Sequence, residues 1–121
     1  MRVKPEPQGG LRHLALKTRN LRMTERFYIK ILGLEVAFRN RGMIFFRSPG
    51  GDDLLNFVET NRPFDPEQGG LDHFGLRFGR GELKKLSQTL RKAEIPALGR
   101  RGRRSLYVQD PNGYTIELYS D

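Results

Sequence analysis

The sequence contains no cysteine. This absence excludes disulfide bonds, thiolate chemistry and cysteine-based zinc sites, and nothing in the chain points to an oxidising compartment. No apolar run approaches the roughly 20 residues of a membrane-spanning helix. The first ten residues, M-R-V-K-P-E-P-Q-G-G, also lack the apolar core of a signal peptide. We therefore expect a soluble, cytoplasmic protein that makes no use of a membrane.

Nucleotide-binding and serine-triad motifs are absent as well. The sequence has neither a G-x-G-x-x-G nor a Walker pattern, and the stretch G-R-G-E is no phosphate loop. No serine lies in the context of a nucleophile elbow. The chain has two histidines, His13 and His73, and a serine triad is unsupported.

A length of 121 residues favours one domain, which we expect at residues 11–121 after a flexible lead-in at residues 1–10. The 22 lysines and arginines outnumber the 14 acidic residues, which gives a formal net charge of +8. Such a charge favours an anionic partner, either a small molecule or a nucleic acid.

Hydrophobic periodicity predicts a strand, a helix and three more strands in the first half. Leu11–Lys17 alternates, with Leu14 and Leu16 on one face and His13, Ala15 and Lys17 on the other. The period then changes to that of a helix, which Asn20 can cap and Gly33 can end. Further strands are predicted at Leu34–Phe38, Met43–Arg47 and Leu54–Val58.

The same order returns in the second half. His73 lies 60 residues after His13, each two residues past a leucine and before an alternating apolar face. The predicted elements are a strand at Leu71–Phe78, a helix at Leu83–Ala93, and strands at Pro96–Gly99, Ser105–Gln109 and Thr115–Tyr119. The sequence thus predicts an α+β fold of two β-α-β-β-β modules, at about residues 11–58 and 71–121, with a polar connector at 59–70.

Glu117 is the unusual residue of the last predicted hairpin, whose turn is Asp110-Pro111-Asn112-Gly113. It stands between Ile116 and Leu118, so its carboxylate points to the opposite side of the sheet from these two side chains. A carboxylate in this position either faces solvent or lines a cavity.

These stretches together resemble the vicinal oxygen chelate superfamily, which includes glyoxalase I, fosfomycin-resistance proteins, extradiol dioxygenases and bleomycin-binding proteins. The resemblance is carried by L-R-H-L-A-L-K, F-Y-I-K-I-L-G-L-E-V, L-D-H-F-G-L and Y-V-Q-D-P-N-G-Y-T-I-E-L-Y. It implies that the two modules form a half-open barrel around a divalent metal. In many dimeric members the modules of one site come from different chains, and we expect a homodimer here.

The resemblance implies that His13, His73 and Glu117 are the metal ligands. Strand alternation agrees, because it puts all three on the face opposite the helix-packing leucines. Two histidines and one carboxylate leave coordination positions open and suit iron(II), manganese(II) or nickel(II), with zinc(II) possible. Such a metal is a Lewis acid that stabilises an oxyanion on a chelated substrate.

Departures from the family's patterns bear on the reaction. Asn56 stands where glyoxalase I has a glutamate, and an asparagine cannot serve as the base of that isomerisation. The stretch R-S-L-Y-V-Q-D-P-N-G resembles fosfomycin-modifying enzymes, with Tyr107 as the candidate catalytic residue, although Ala15 replaces their threonine. Extradiol dioxygenases usually add a third histidine, which this chain lacks. The expected reaction is of the lyase or transferase type, or a ring-cleaving dioxygenation.

The candidate substrate-binding residues are Phe45, Asn56, Arg101, Arg103 and Tyr107. The arginines belong to a basic run, Arg100 to Arg104, that is expected at the rim of the cavity and suits a small anionic, oxygen-rich substrate. The alternative is a solvated loop. Phe45 and Tyr107 are expected to point into the cavity, where they either pack against a substrate or fill the space.

Two alternative functions belong to other classes of protein. A metal-free sequestering protein, like the bleomycin-binding members, would keep the fold without the ligands, and the retained triad argues against it. A nucleic-acid binder is suggested by the charge and by R-G-M-I-F-F-R, which resembles an aromatic RNA-binding strand. The duplicated β-α-β-β-β order does not fit that four-stranded sheet, so a nucleic-acid partner is not expected.

Overall fold

The computed structural model describes residues 3–102 and 104–121. Its strands are β1 (His13–Thr18), β2 (Glu35–Asn40), β3 (Met43–Arg47), β4 (Leu54–Glu59), β5 (Phe74–Phe78), β6 (Gly99–Arg100), β7 (Ser105–Gln109) and β8 (Thr115–Ser120). Its helices are α1 (Leu21–Arg26), which continues as a π-helical turn (Phe27–Ile31), α2 (Glu82–Lys92), and a short 3-10 turn (Pro66–Gln68). None of the helices in this part of the chain is long and apolar enough to cross a membrane.

The strands form two four-stranded sheets with the same topology. The first sheet has the order β1-β4-β3-β2 and the second β5-β8-β7-β6. In each, the first and last strands of the module pair in parallel and the other pairs are antiparallel. The α+β fold of two β-α-β-β-β modules is confirmed, and the sheets are not closed into a barrel.

The first helix begins and ends at the residues that the sequence indicates. The Asn20 side chain accepts a hydrogen bond of 2.9 Å from the Met23 backbone N–H and so caps the first turn. Gly33 then reverses the chain into β2 with a φ of +77°. Only glycine adopts this left-handed conformation without steric cost, so the helix stops there.

One face of each sheet packs on the helices, and the two packed faces share a single core. Ile44, Phe57, Leu106 and Leu118 are all buried in it. Tyr28 of the first module is fully buried in the same core, with its ring centroid 5.0 Å from that of Phe57. Because both packed faces meet in this core, the opposite faces are turned away from it; we call these the open faces.

The turn Asp110–Gly113 ties the second sheet to the first module. The Tyr28 hydroxyl donates to Asp110 Oδ2 (2.8 Å), and the Thr18 hydroxyl donates to Asn112 Oδ1 (2.6 Å). Beside the turn, the Tyr114 hydroxyl donates to the Lys17 carbonyl (2.8 Å) and accepts from the Lys17 N–H (3.1 Å). Buried polar groups are therefore satisfied across the boundary between the modules, which fixes how the sheets sit against each other.

Two predicted strands are shorter than expected. The parallel ladder of β5 begins at the pair Phe74–Ile116, so His73 lies just before the strand and not within it. The strand predicted at Pro96–Gly99 is instead Gly99–Arg100, paired with Tyr107 and Leu106. Pro96 has no N–H to donate to a ladder, and the first hydrogen bond to β7 is donated by the Leu98 N–H to the Tyr107 carbonyl (2.8 Å).

Candidate metal and substrate site

Glu117 lies in the middle of β8 on the open face of the second sheet. Its neighbours Ile116 and Leu118 are fully buried in the core, so strand alternation turns the carboxylate outward, as the sequence predicts. In the sheet register Glu117 is paired with Tyr107 on β7 and with Gly75 on β5. Only 17% of its side chain is exposed, so the carboxylate sits in a partly dry position.

His73 reaches this carboxylate from the segment just before β5. Its Nε2 is 3.2 Å from Glu117 Oε1, and its Nδ1 is 2.6 Å from Asp72 Oδ2. The hydrogen bond with Asp72 is the main cause that raises the pKa of His73 above its usual 6.5, and the Glu117 carboxylate adds to the effect. A histidine held in this way by a carboxylate at Nδ1 turns Nε2 toward Glu117.

Ser105 and Tyr107 complete the immediate surroundings. The Ser105 hydroxyl donates to Glu117 Oε2 at 2.8 Å, so both carboxylate oxygens have a partner. The Tyr107 ring stands edge-on to the His73 ring, with centroids 5.4 Å apart. Ser105 and Asp72 were not among the residues predicted from the sequence. Ser105 shares the open face with Tyr107 by simple alternation, and Asp72 directly precedes a candidate ligand.

His13, the third predicted ligand, lies on the other sheet. It is exposed at the start of β1, where it pairs with Leu54 on the open face of the first sheet. Within residues 3–102 and 104–121, no three histidine or acidic side chains are grouped closely enough to hold a metal ion. The structure therefore brings together two of the three predicted ligands, His73 and Glu117, and one chain alone does not bring His13 to them.

The donor set at His73 and Glu117 nevertheless fits a divalent metal. Two donor atoms that are each about 2.1 Å from one ion lie about 3.0 to 3.4 Å apart at bond angles of about 90° to 110°. The observed separation of 3.2 Å between Nε2 and Oε1 falls in this range. Asp72 and Ser105 also provide the outer hydrogen bonds that metal ligands typically have.

Asn56 and Phe45 lie next to each other on the open face of the first sheet. Asn56 takes the place in the first sheet that Glu117 takes in the second, in the last strand of its module. It is only 6% exposed, and its Oδ1 is buried with no hydrogen-bond partner among the described residues. Phe45 stacks on Phe38, with ring centroids 4.1 Å apart.

The basic run starts at Arg100, the last residue of β6. Arg100 pairs with Leu106 and shares its side of the sheet, next to α2 and away from Glu117. The expectation that the whole run lies at the rim of the cavity is therefore wrong for Arg100, because strand alternation continues through β6. Arg101 follows β6, and its backbone N–H donates to the Ser105 carbonyl (3.1 Å). Arg103 lies outside the described residues.

Solved structures share this architecture. An integron cassette protein from the mobile metagenome of the Halifax Harbour sewage outfall is 25% identical, with 94% of this chain and 100% of that chain covered and a TM-score of 0.78. A glyoxalase/dioxygenase from Nostoc punctiforme is 21% identical, covers 99% of each chain and has a TM-score of 0.75. Lactoylglutathione lyase from Agrobacterium tumefaciens is 22% identical over 95% of this chain and 96% of that chain, with a TM-score of 0.70. These likenesses show a common fold.

Two duplicated modules, each a four-stranded sheet with a helix on one face and an open face opposite, define the general class of this protein. Within that class, a family model matches residues 10–118. The chain belongs to the Glyoxalase/Bleomycin resistance protein/Dioxygenase superfamily.

Proposed function

We propose that the protein is a divalent-metal-dependent enzyme that acts on a small, oxygen-rich and anionic molecule. The observation that carries the proposal is the His73–Glu117 pair, whose donor atoms are 3.2 Å apart. Hydrogen bonds already orient both members, His73 through Asp72 and Glu117 through Ser105. Such orientation lowers the cost of holding two ligands in place and is typical of a metal centre.

The third ligand is His13 of a second copy of the chain. Within one chain His13 lies on the other open face, and both open faces are turned away from the shared core. A homodimer in which the open face of each first sheet covers the open face of the partner's second sheet would unite the three ligands twice. Two-fold symmetry then makes the two sites equivalent.

The bound metal would supply Lewis-acid stabilisation of negative charge on a substrate that binds through two neighbouring oxygens. Tyr107 stands beside His73, so its hydroxyl is the candidate donor of a hydrogen bond or a proton to the substrate. Phe45 and Asn56 would contribute an apolar wall and an amide from the first sheet. Arg101 would attract an anionic group toward the site, and Arg103 is retained as a candidate from the sequence alone.

The reaction is of the lyase or transferase type, or a ring-cleaving dioxygenation. Asn56, at the position equivalent to Glu117, has no basic group that could take a proton from carbon. This argues against the isomerisation that glyoxalase I performs. A panel of fosfomycin with thiols, catechols and hemithioacetals would separate the remaining reactions.

Metal analysis tests the proposal directly. We expect about one divalent ion per chain after loading with iron(II), manganese(II), nickel(II) or zinc(II). His73→Ala and Glu117→Ala should each lower the affinity at least roughly tenfold, since each removes a ligand. Glu59→Ala, an exposed glutamate at the end of β4, is the matched control and should retain the metal. Full metal content in His73→Ala would disprove the ligand assignment.

A further inference from the structure

A concave feature lies on the other side of the second sheet, between α2 and β6. It is a groove of about 480 Å³, within the usual volume range of small-molecule sites. Its lining includes Ser87, Leu90, Arg91, Ile95, Arg100 and Leu106. A neighbouring groove shares four of these residues and extends the feature along α2 toward Lys84 and Gln88.

The floor of the groove is apolar. Leu90 and Leu106 are 3% and 2% exposed, so they belong to the core and present only their outer surface. Ile95 packs against the same core from the segment that follows α2. Pro96 and Ala97, which are exposed, line the groove together with the half-buried Ile95. These three side chains favour the apolar part of a ligand, because its binding removes their apolar surface from water.

The sides of the groove carry positive charge. Arg91 comes from the last turn of α2 and Arg100 from β6, so that the two guanidinium groups line it from different elements. No ion pair joins either of them to a carboxylate in the described part of the chain. Glu94 also lines the groove, and Lys84 lies farther along it, so cations are in excess.

We propose that this groove binds a small organic anion with an apolar body. The acidic group lies between Arg91 and Arg100, where guanidinium groups can donate paired hydrogen bonds to a carboxylate, sulfonate or phosphate. The apolar body lies against Ile95, Pro96 and Ala97. An anion in this position also offsets the repulsion between Arg91 and Arg100, since Glu94 is the one acidic residue in the lining of the groove.

The groove lies on the opposite side of the second sheet from His73 and Glu117, and of the residues around that site only Ser105 borders its extension along α2. Leu106, on its floor, and Tyr107, beside His73, are consecutive residues of β7 and point to opposite faces of the sheet. A ligand in the groove therefore does not compete for the open face. Its binding does not depend on the proposed metal ligands.

Calorimetric titration with three probes tests the proposal. Naphthalene-2-sulfonate carries an anion on an apolar body, 2-naphthol is a neutral probe with the same rings at pH 7, and sodium sulfate provides an anion without an apolar body. We expect the sulfonate to bind at least roughly tenfold more tightly than either of the others, since a charge-assisted hydrogen bond and the apolar floor act together. Arg91→Gln and Arg100→Gln should each weaken sulfonate binding roughly tenfold and leave 2-naphthol unchanged.

Lys92→Gln is the matched control, since Lys92 is next to Arg91 on the same helix but lines neither groove. It removes the same charge and should leave the sulfonate affinity unchanged. Glu117→Ala should also bind the sulfonate with unchanged affinity, whatever the result of the metal-binding test. Equal losses in Lys92→Gln and Arg91→Gln, equal affinity for sulfonate and sulfate, or sulfonate binding that survives both arginine substitutions would each overturn the proposal.

Discussion

Asp110 is a buried carboxylate that accepts hydrogen bonds at both oxygens. Oδ1 accepts from the backbone N–H groups of Asn112 and Tyr114, and Oδ2 accepts from the Tyr28 hydroxyl and the Asn112 side chain. The first pair shapes the turn, whereas the bond to Tyr28 crosses 82 positions of the chain to the other module. The residue therefore serves the local hairpin and the packing between modules at once.

Tyr28→Phe isolates the contact between the modules. It removes only the hydroxyl, so the ring packing remains while Asp110 Oδ2 loses its neutral donor. We expect the free energy of unfolding to fall by about 1 to 3 kcal/mol, because the partner is a buried charged group. Urea denaturation measures the change. Tyr107→Phe removes the same atom from a hydroxyl that makes no hydrogen bond with the described residues, and it should be close to neutral; equal losses in both variants would contradict the assignment.

Asp110 also predicts a dependence of stability on pH. Burial raises its pKa above the usual 3.8, and the hydrogen bonds from Tyr28, Asn112 and Tyr114 only partly oppose this rise. From about pH 4 upward, the folded protein keeps a proton that the unfolded chain has lost, so the contribution of Asp110 to stability falls until the folded carboxyl is ionised.

Asp110→Asn removes this titration. The unfolding free energy of the natural protein, relative to that of the variant, should therefore fall as the pH rises from about 4 and then become constant. Urea denaturation of both proteins across a pH series measures it. A difference that grows in favour of the natural protein over this interval would mean that the folded pKa is lowered instead.

The sequence identifies the candidate site residues only in part. Glu117 is recognisable because a carboxylate between two core residues must face the open side of its strand. The contribution of Ser105 depends on which strand lies next to β8, and a single strand pattern does not contain that information. The separation of His13 from His73 depends on how the sheets pack, which is a long-range property.

At the scale of elements, the turn Asp110–Gly113 does more than connect two strands. Asn112 accepts a hydrogen bond from Thr18 and donates one of 3.1 Å to Thr24, both in the first module. Thr18 and Thr24 are themselves hydrogen-bonded at 2.9 Å and fully buried. The turn is thereby held in place by the end of β1 and the first helix.

Asn112→Ala should weaken this attachment. Two buried threonine hydroxyls lose a partner, although they keep each other, and we expect a loss of about 1 to 3 kcal/mol. Asn61→Ala, at an exposed position in the connector, is the control and should change stability by less than about 0.5 kcal/mol. Thermal unfolding of both variants tests this. Equal melting temperatures for Asn112→Ala and the natural protein would show that the turn is held by its backbone alone.

Element types are predicted well where the hydrophobic period is regular. The bounds of β3 and β7 agree with the prediction, and α1 begins after Asn20 because the cap is a local interaction. The strand at Leu71–Phe78 is overestimated because alternation continues past the point where β8 can pair with it. Ladder length depends on the partner strand, so alternation alone does not determine it.

For the whole molecule, we expect a metal site that is divided between two chains, because the open faces that carry His13 and Glu117 are both turned away from the shared core. His13→Ala and Glu117→Ala should each weaken both metal sites of a homodimer at least roughly tenfold, since each removes one ligand per site, and metal is measured at a concentration that fills only intact sites. In a mixed dimer, however, one site collects both substitutions and the other has none. After subunit exchange of equal amounts, roughly one quarter of the sites should be intact if dimers form at random. Metal content after mixing, with sedimentation to establish the dimer, measures this.

A site built within one chain would never be restored by such mixing. The control is a mixture of His73→Ala with Glu117→Ala, whose substitutions lie in the same sheet and would remain in the same half of the site. That mixture should regain no metal. Recovery in the control, or a monomer at micromolar concentration, would contradict the divided site.

The alternation along β7 has a consequence for how such a protein can change over generations. Leu106 and Val108 are confined by the core, but Tyr107 between them is not, and the same separation holds around Glu117 on β8. Substitutions on the open faces can therefore accumulate with little penalty to folding. A new substrate preference can arise by altering every second residue of a few strands, and the duplicated plan offers two such surfaces, which must stay complementary wherever the proposed dimer brings them together.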